Sequence, residues 1–171
     1  MYTRHATLTT AEIDAVTIVA TDGAVTGLYY PQHWTKPDWS TFGEQVEEQD
    51  DPVLLEAATQ LRQYLRGERR EFDFPTEVHG SAFEERVWAV LNEIPYGRTM
   101  TYGEIAEQLG DKRLARMVGR AVGANPLSVV VGCHRVVGHS GKLTGYAGGL
   151  SRKEFLLALE APVPATADRL F

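Results

Sequence analysis

Three Ser/Thr-x-x-Glu boxes punctuate the second half of this chain: Ser81 with Glu84, Thr101 with Glu104, and Ser151 with Glu154. In such a box the hydroxyl accepts from the backbone N–H three residues on, and the glutamate reaches back to the N–H of the capping residue. Two orphan donors of a helix start are satisfied together, so each box predicts where a helix begins. After Ser81, Phe83, Val87, Trp88, Val90 and Leu91 recur at helical spacing as far as Ile94, before Pro95-Tyr96-Gly97. After Thr101 a helix is expected from Tyr102 to Leu109, stopped by Gly110, and another from Lys112 to Val122, stopped by Gly123. Two short helices joined by a glycine turn read as a helix-turn-helix. The third box predicts a last helix from Ser151 to Glu160.

The first half has a different period. Residues 16–20 (VTIVA) and 24–30 (AVTGLYY) are β-branched and aromatic runs separated by Thr21-Asp22-Gly23, a hairpin signal. Residues 31–51 read as a connecting loop. Asp51-Pro52 opens a helix carrying Leu54, Leu55, Ala58, Leu61, Tyr64 and Leu65, with Gly67 as its stop. The expected fold is therefore α+β. A small antiparallel sheet with one helix occupies residues 1–78, a mostly helical unit with the helix-turn-helix occupies 79–160, and 161–171 (APVPATADRLF) form a mobile tail.

Composition limits the function classes. Hydrophobic residues make up 43% and charged residues 23%, the balance of a globular protein, and no apolar run approaches the ~20 residues of a membrane span. The N-terminus lacks the apolar core of a signal peptide. The single cysteine, Cys133, can form neither an intrachain disulfide nor a multi-cysteine zinc site. These features predict a cytoplasmic protein with no membrane span and no multi-cysteine zinc site; no metal, cofactor or membrane partner is expected.

The net charge of −6 conceals a division. Residues 1–79 hold six basic against fourteen acidic side chains, whereas residues 112–153 hold eight basic side chains and no acidic one. Within that block Arg113, Arg116 and Arg120 fall at i, i+3 and i+7, with the small residues Ala115, Gly119 and Gly123 beside them. Long cations next to residues without bulk let a helix backbone approach a phosphate-lined groove, which points to nucleic acid. A solvated basic face and a tightly packed Gly119 are the plainer alternative.

Cys133 follows the apolar run LSVVV (127–131), read as a buried strand or extended segment, and precedes His134 and Arg135. A lone cysteine beside valines is ordinarily inert core. Here His134 can serve as general base, and nearby cations are expected to favour the thiolate. Adjacent side chains seldom hydrogen-bond each other in extended chain, so a water is expected between Cys133 and His134. The glycine-rich stretch 138–149, with Tyr146 its one aromatic, suits backbone approach to a flat ligand. Glu160 lies at the end of its helix that is unfavourable for a carboxylate, which suggests another task, such as orienting His134.

The runs FEERVWAVLNEIPYGRTMTYGEIAEQLG, ARMVGRAVGANP and CHRVVGHSGKLTGYAGGLSRKEFLLALE together resemble the O6-alkylguanine-DNA alkyltransferases over residues 81–160. The resemblance implies direct-reversal repair. An O6-alkylated guanine, or O4-methylthymine as a second substrate, would be flipped from double-stranded DNA bound through the minor groove, and its alkyl group moved irreversibly onto the protein, one event per molecule. It implies Cys133 as acceptor, His134 as base through water, and Glu160 as the carboxylate holding His134. Tyr102 would contact the extruded nucleotide and aid protonation of the leaving guanine. Arg116 would fill the gap in the stack, and Asn125 would tie the helix-turn-helix to the active-site segment. Ala115, Gly119 and Arg120 would meet the groove, Arg135 the DNA, and Tyr146 and Gly148 the alkylated base.

One position departs from the family pattern: Gly132 stands where proline usually precedes the cysteine. Glycine frees that backbone, so a looser segment with altered reactivity is expected. A lesion-binding module that has lost transfer, and a hydrolase using Cys133 and His134, are the competing readings.

Overall fold

The computed structural model describes residues 1–33 and 35–162; the expected tail lies almost wholly outside them. The first half is a four-stranded sheet in the order β3-β2-β1-β4, from β1 (Thr3–Thr10), β2 (Asp14–Thr21), β3 (Ala24–Tyr29) and the short β4 (Glu44–Gln45). The first three pair antiparallel, with Asp22-Gly23 turning β2 into β3, and β4 runs parallel to β1. Strand β1 is not announced by the sequence. Its buried positions alternate as Arg4, Ala6, Leu8 and Thr10, and two polar residues among four hide the period.

Helix α1 (Pro52–Leu65) packs on this sheet. Its start is doubly secured. Asp51 accepts from the N–H groups of Val53 and Leu54 at 3.0 and 3.1 Å, and it pairs with buried Arg4 at 2.6 Å.

The second half holds α2 (Ala82–Glu93), the two-residue strands β5 (Met100–Thr101) and β6 (Val136–Val137), α3 (Tyr102–Gln108), α4 (Ala115–Gly123) and α5 (Leu150–Glu160). The boxes at Ser81 and Thr101 form with both of their bonds. The third does not form. Gly149, at φ 89°, takes the capping position and α5 starts at Leu150, so Ser151 is already inside the helix. The segment expected as a helix from Lys112 starts as a 3-10 turn, Lys112–Leu114, and becomes α-helical only at Ala115. Arg113 thereby sits outside α4 and pairs with Asp111 at 2.8 Å instead of extending the arginine row.

Two connections place the site. Parallel pairing of β5 with β6 sets the start of α3, and so Tyr102, beside the segment that leaves Cys133-His134-Arg135. The outer strand β3 grips the segment entering it, with Leu28 N–H donating to the Pro126 carbonyl at 2.8 Å and Leu28 bridging Leu127. Buried apolar residues from both halves form one continuous cluster, in which Trp88 ties α2 to α4 by donating to the Ala121 carbonyl at 2.8 Å. Among the described residues no helix is long and apolar enough to cross a membrane.

Candidate active site

The segment entering Cys133 is folded turns, not strand. Val130 N–H donates to the Ser128 carbonyl across Val129, whose φ is 72°, a rare conformation for a β-branched residue. Cys133 N–H donates to the Val131 carbonyl across Gly132 at 2.7 Å. Asn125 holds these turns closed. Its Nδ2 donates to the carbonyls of Leu127 and Val131 at 3.3 and 3.2 Å, and its Oδ1 accepts from Leu127 N–H. Gly132 has φ −70°, a value proline itself adopts, so this conformation makes no use of glycine's freedom. The missing side chain matters otherwise: a Cβ there would lie 3.0 Å from Arg135 Cδ.

Cys133 faces a mostly apolar cavity of about 680 Å³. Tyr102, Arg116, Gly119, Arg120, Asn125 and Tyr146 line it with Cys133, bringing most of the expected residues together. Arg116 and Arg120 are exposed at its rim and make no ion pair with any described residue, while Gly119 faces the Tyr102 ring. Ala115, at the first turn of α4, is half-buried and outside the lining. Gly148 is buried under Tyr30 and also outside the lining.

Behind the cysteine lies a buried polar network. His134 Nε2 meets Glu160 Oε2 at 2.9 Å, and His134 Nδ1 makes no hydrogen bond to any described residue. Arg135, expected to face DNA, is turned inward. Its Nε and Nη2 donate to the two oxygens of Glu160 at 2.8 and 2.9 Å, and its Nη1 donates to the Ile94 carbonyl. A carboxylate with a planar fork in reach is the stronger partner, so the Arg135 guanidinium is engaged within the protein.

Tyr64 of α1 also donates to Glu160, and nothing local in the sequence announces it, because the partner lies 96 residues away. Lys153 has no role expected from the sequence either, although a signal is present. Lys153, Leu156 and Glu160 form the buried stripe of α5, so two charged residues occupy its apolar face. Lys153 Nζ donates to the carbonyls of Val136 and Thr144 at 2.5 and 3.3 Å.

Burial governs the charge states. It pushes the Cys133 thiol up, and contacts from Asn125 and Lys153 offset this only in part, which reverses the expectation of a resting thiolate. Burial pushes His134 down against the pull of Glu160, leaving a neutral imidazole. Glu160 is raised by burial, yet hydrogen bonds from His134 and Arg135 hold it down at about 2. Lys153 falls to about 8 because it is buried.

Stability is therefore expected to fall in acid. Neutral His134 stabilises the fold above its unfolded pKa of 6.5, and ionised Glu160 does so above 4.5, the latter contribution being lost as pH drops through about 2. Urea unfolding at intervals from pH 7 to 2 is predicted to show a continuous decline beginning near 6.5. A flat profile down to pH 4 contradicts this assignment.

A family model described as "6-O-methylguanine DNA methyltransferase, DNA binding domain" matches residues 82–162. The methylated-DNA–protein-cysteine methyltransferase of Mycobacterium bovis is 48% identical over 128 residues, which cover 75% of this chain and 70% of that one. The chain belongs to the methylated-DNA–protein-cysteine methyltransferase family. A member from Mycolicibacterium paratuberculosis is 59% identical over 104 residues, covering 61% of this chain and 63% of the relative. Likeness to this methyltransferase family extends to the first half in three dimensions. The crystal structure of Mycobacterium tuberculosis OGT in complex with DNA superposes with a TM-score of 0.82 at 40% identity, covering 93% of this chain and 95% of that one.

Proposed function

We propose that this protein repairs O6-alkylated guanine in double-stranded DNA by moving the alkyl group onto Cys133, once per molecule. The observation that carries this reading is the placement of Cys133 in a cavity whose rim carries Arg116 and Arg120 and whose rear holds a neutral base with one unengaged nitrogen.

The roles follow from the chemistry. Cleaving an aryl ether at its alkyl carbon needs a soft nucleophile and an improved leaving group. The Cys133 thiol gives its proton through one water to His134 Nδ1, while Nε2 stays directed at Glu160. The thiolate sulfur attacks the methyl carbon, the S–C bond forms and the C–O6 bond breaks. Tyr102 gives a proton to the guanine ring as its electrons return there. Exchange with solvent then neutralises His134 and Tyr102, and the thioether remains. O4-methylthymine offers the same alkylated oxygen beside a ring nitrogen.

Extrusion of the base costs a few kcal/mol, and the exposed Arg116 at the cavity rim supports its role in filling the gap. The small side chains of Ala115 and Gly119 allow α4 to enter the minor groove, and the bare rim arginines supply phosphate contacts that do not depend on sequence. Residues 1–78 serve as a scaffold for the catalytic unit 79–160, and the protein works in the cytoplasm.

The test is a repair titration with a duplex carrying one O6-methylguanine, scored as guanine recovered. The expected plateau is one guanine per protein molecule. Repair of many lesions per molecule, or none with the lesion duplex bound, contradicts the reading.

A further inference from the structure

Thr144 has no part in the chemistry above, yet it faces the same cavity, and its hydroxyl lies 2.9 Å from that of Tyr102 across 42 residues of sequence. Either oxygen could be the donor in that pair. Thr144 is held firmly. Its carbonyl accepts from buried Lys153, and its Cγ2 fills the space above Gly138, where a Cβ would come within 2.9 Å of it. Tyr102 opens the first turn of α3 on the other side, and its ring faces Gly119. A phenol carries one proton and can accept another hydrogen bond. If Tyr102 donates to Thr144, its proton is unavailable to a base in the cavity; if Thr144 donates to Tyr102, that proton is free.

We propose that Thr144 is a positioning residue for transfer, donating to Tyr102 Oη so that the Tyr102 proton is left for the extruded guanine. This rests on the alkyltransferase reading, since it serves Tyr102 in that reaction. As the C–O6 bond breaks, the proton passes from Tyr102 to the guanine ring and negative charge develops on Oη. The Thr144 hydroxyl remains bonded to that oxygen, and a hydrogen bond to an ionised acceptor is roughly twice as strong as a neutral one. The contact thus tightens as the reaction proceeds, which is the condition for lowering a barrier rather than merely binding substrate.

The test uses single-turnover transfer from a duplex carrying one O6-methylguanine, with the dissociation constant for that duplex measured separately. Thr144→Val keeps the shape and removes the hydroxyl; it is expected to slow maximal transfer by about 10–100-fold and leave duplex affinity unchanged. Thr144→Ser is expected to restore the rate to within about threefold of wild type, because the hydroxyl is back. In a Tyr102→Phe background, Thr144→Val is expected to cause no further loss. Alkylation of Cys133 by iodoacetamide is expected to proceed equally in wild type and Thr144→Val, since no guanine leaves. The proposal is overturned if Thr144→Val slows transfer as much without the Tyr102 hydroxyl as with it, if serine fails to rescue, or if Tyr102→Phe transfers at the wild-type rate. Failure of the wild-type protein to transfer at all overturns the underlying reading instead.

Discussion

Replacing Glu160 by glutamine is expected to cost the protein about 3–5 kcal/mol of stability and to slow transfer by about 10²–10⁴-fold. The Glu160 side chain is 2% exposed and answers one partly buried guanidinium with both oxygens. Taking its charge away leaves Arg135 uncompensated in a low-dielectric site, where the penalty is far larger than for a surface pair. The kinetic loss has a separate cause, because His134 loses the negative charge that steadies its protonated form. A paired substitution separates the two effects. Adding Arg135→Met to Glu160→Gln is expected to recover most of the stability, since no unpaired charge remains, while transfer stays slow. Urea unfolding and single-turnover kinetics on the three proteins check this. A single variant within about 1 kcal/mol of wild type, or a double variant that recovers transfer, contradicts the network described.

Gly148→Ala carries the second large effect, transmitted through the first half of the chain. A Cβ on Gly148 would lie 2.6–2.8 Å from three ring atoms of Tyr30. Tyr30 has little room to yield. It is fully buried, its hydroxyl meets that of Tyr146 at 2.8 Å, and the Arg152 guanidinium sits 4.9 Å from its ring centre. The expected loss is about 1–3 kcal/mol, with Tm falling roughly 2–4 °C for each kcal/mol in a chain of this size. Transfer slows as well, because displacing Tyr30 displaces Tyr146 at the cavity wall. Gly23→Ala is the control. A Cβ there has nothing within 4 Å, so its effect is expected to stay within about 0.5 kcal/mol. Equal melting temperatures for the two variants would contradict the close packing at Tyr30.

What the sequence makes legible here is local chemistry. The boxes at Ser81 and Thr101 close within four residues, and Asp22-Gly23 turns a hairpin between strands adjacent in sequence. Ser151 carries the same signal and loses to Gly149, whose left-handed backbone starts the helix earlier. Hydrophobic runs mislead where turns intervene: LSVVV has the composition of a strand, but Asn125 bonds to both of its ends and folds it back on itself. In the candidate site, Cys133, Tyr102, Asn125 and Tyr146 are named by motifs in the sequence, and the fold brings them to one cavity. Arg135 looks like a DNA cation in any one-dimensional reading, and only the fold shows that Glu160 claims it. Tyr30 and Tyr64 are silent for the same reason, since their partners lie 116 and 96 residues away.

The most direct test of Cys133 as the alkyl acceptor is the intact mass of the protein after incubation with a duplex carrying one O6-methylguanine, beside a Cys133→Ser control. The account predicts a gain of about 14 Da, hydrogen replaced by methyl, in every wild-type molecule and in none of the control. An unchanged wild-type mass with the lesion duplex bound, or the same gain in the serine variant, contradicts it.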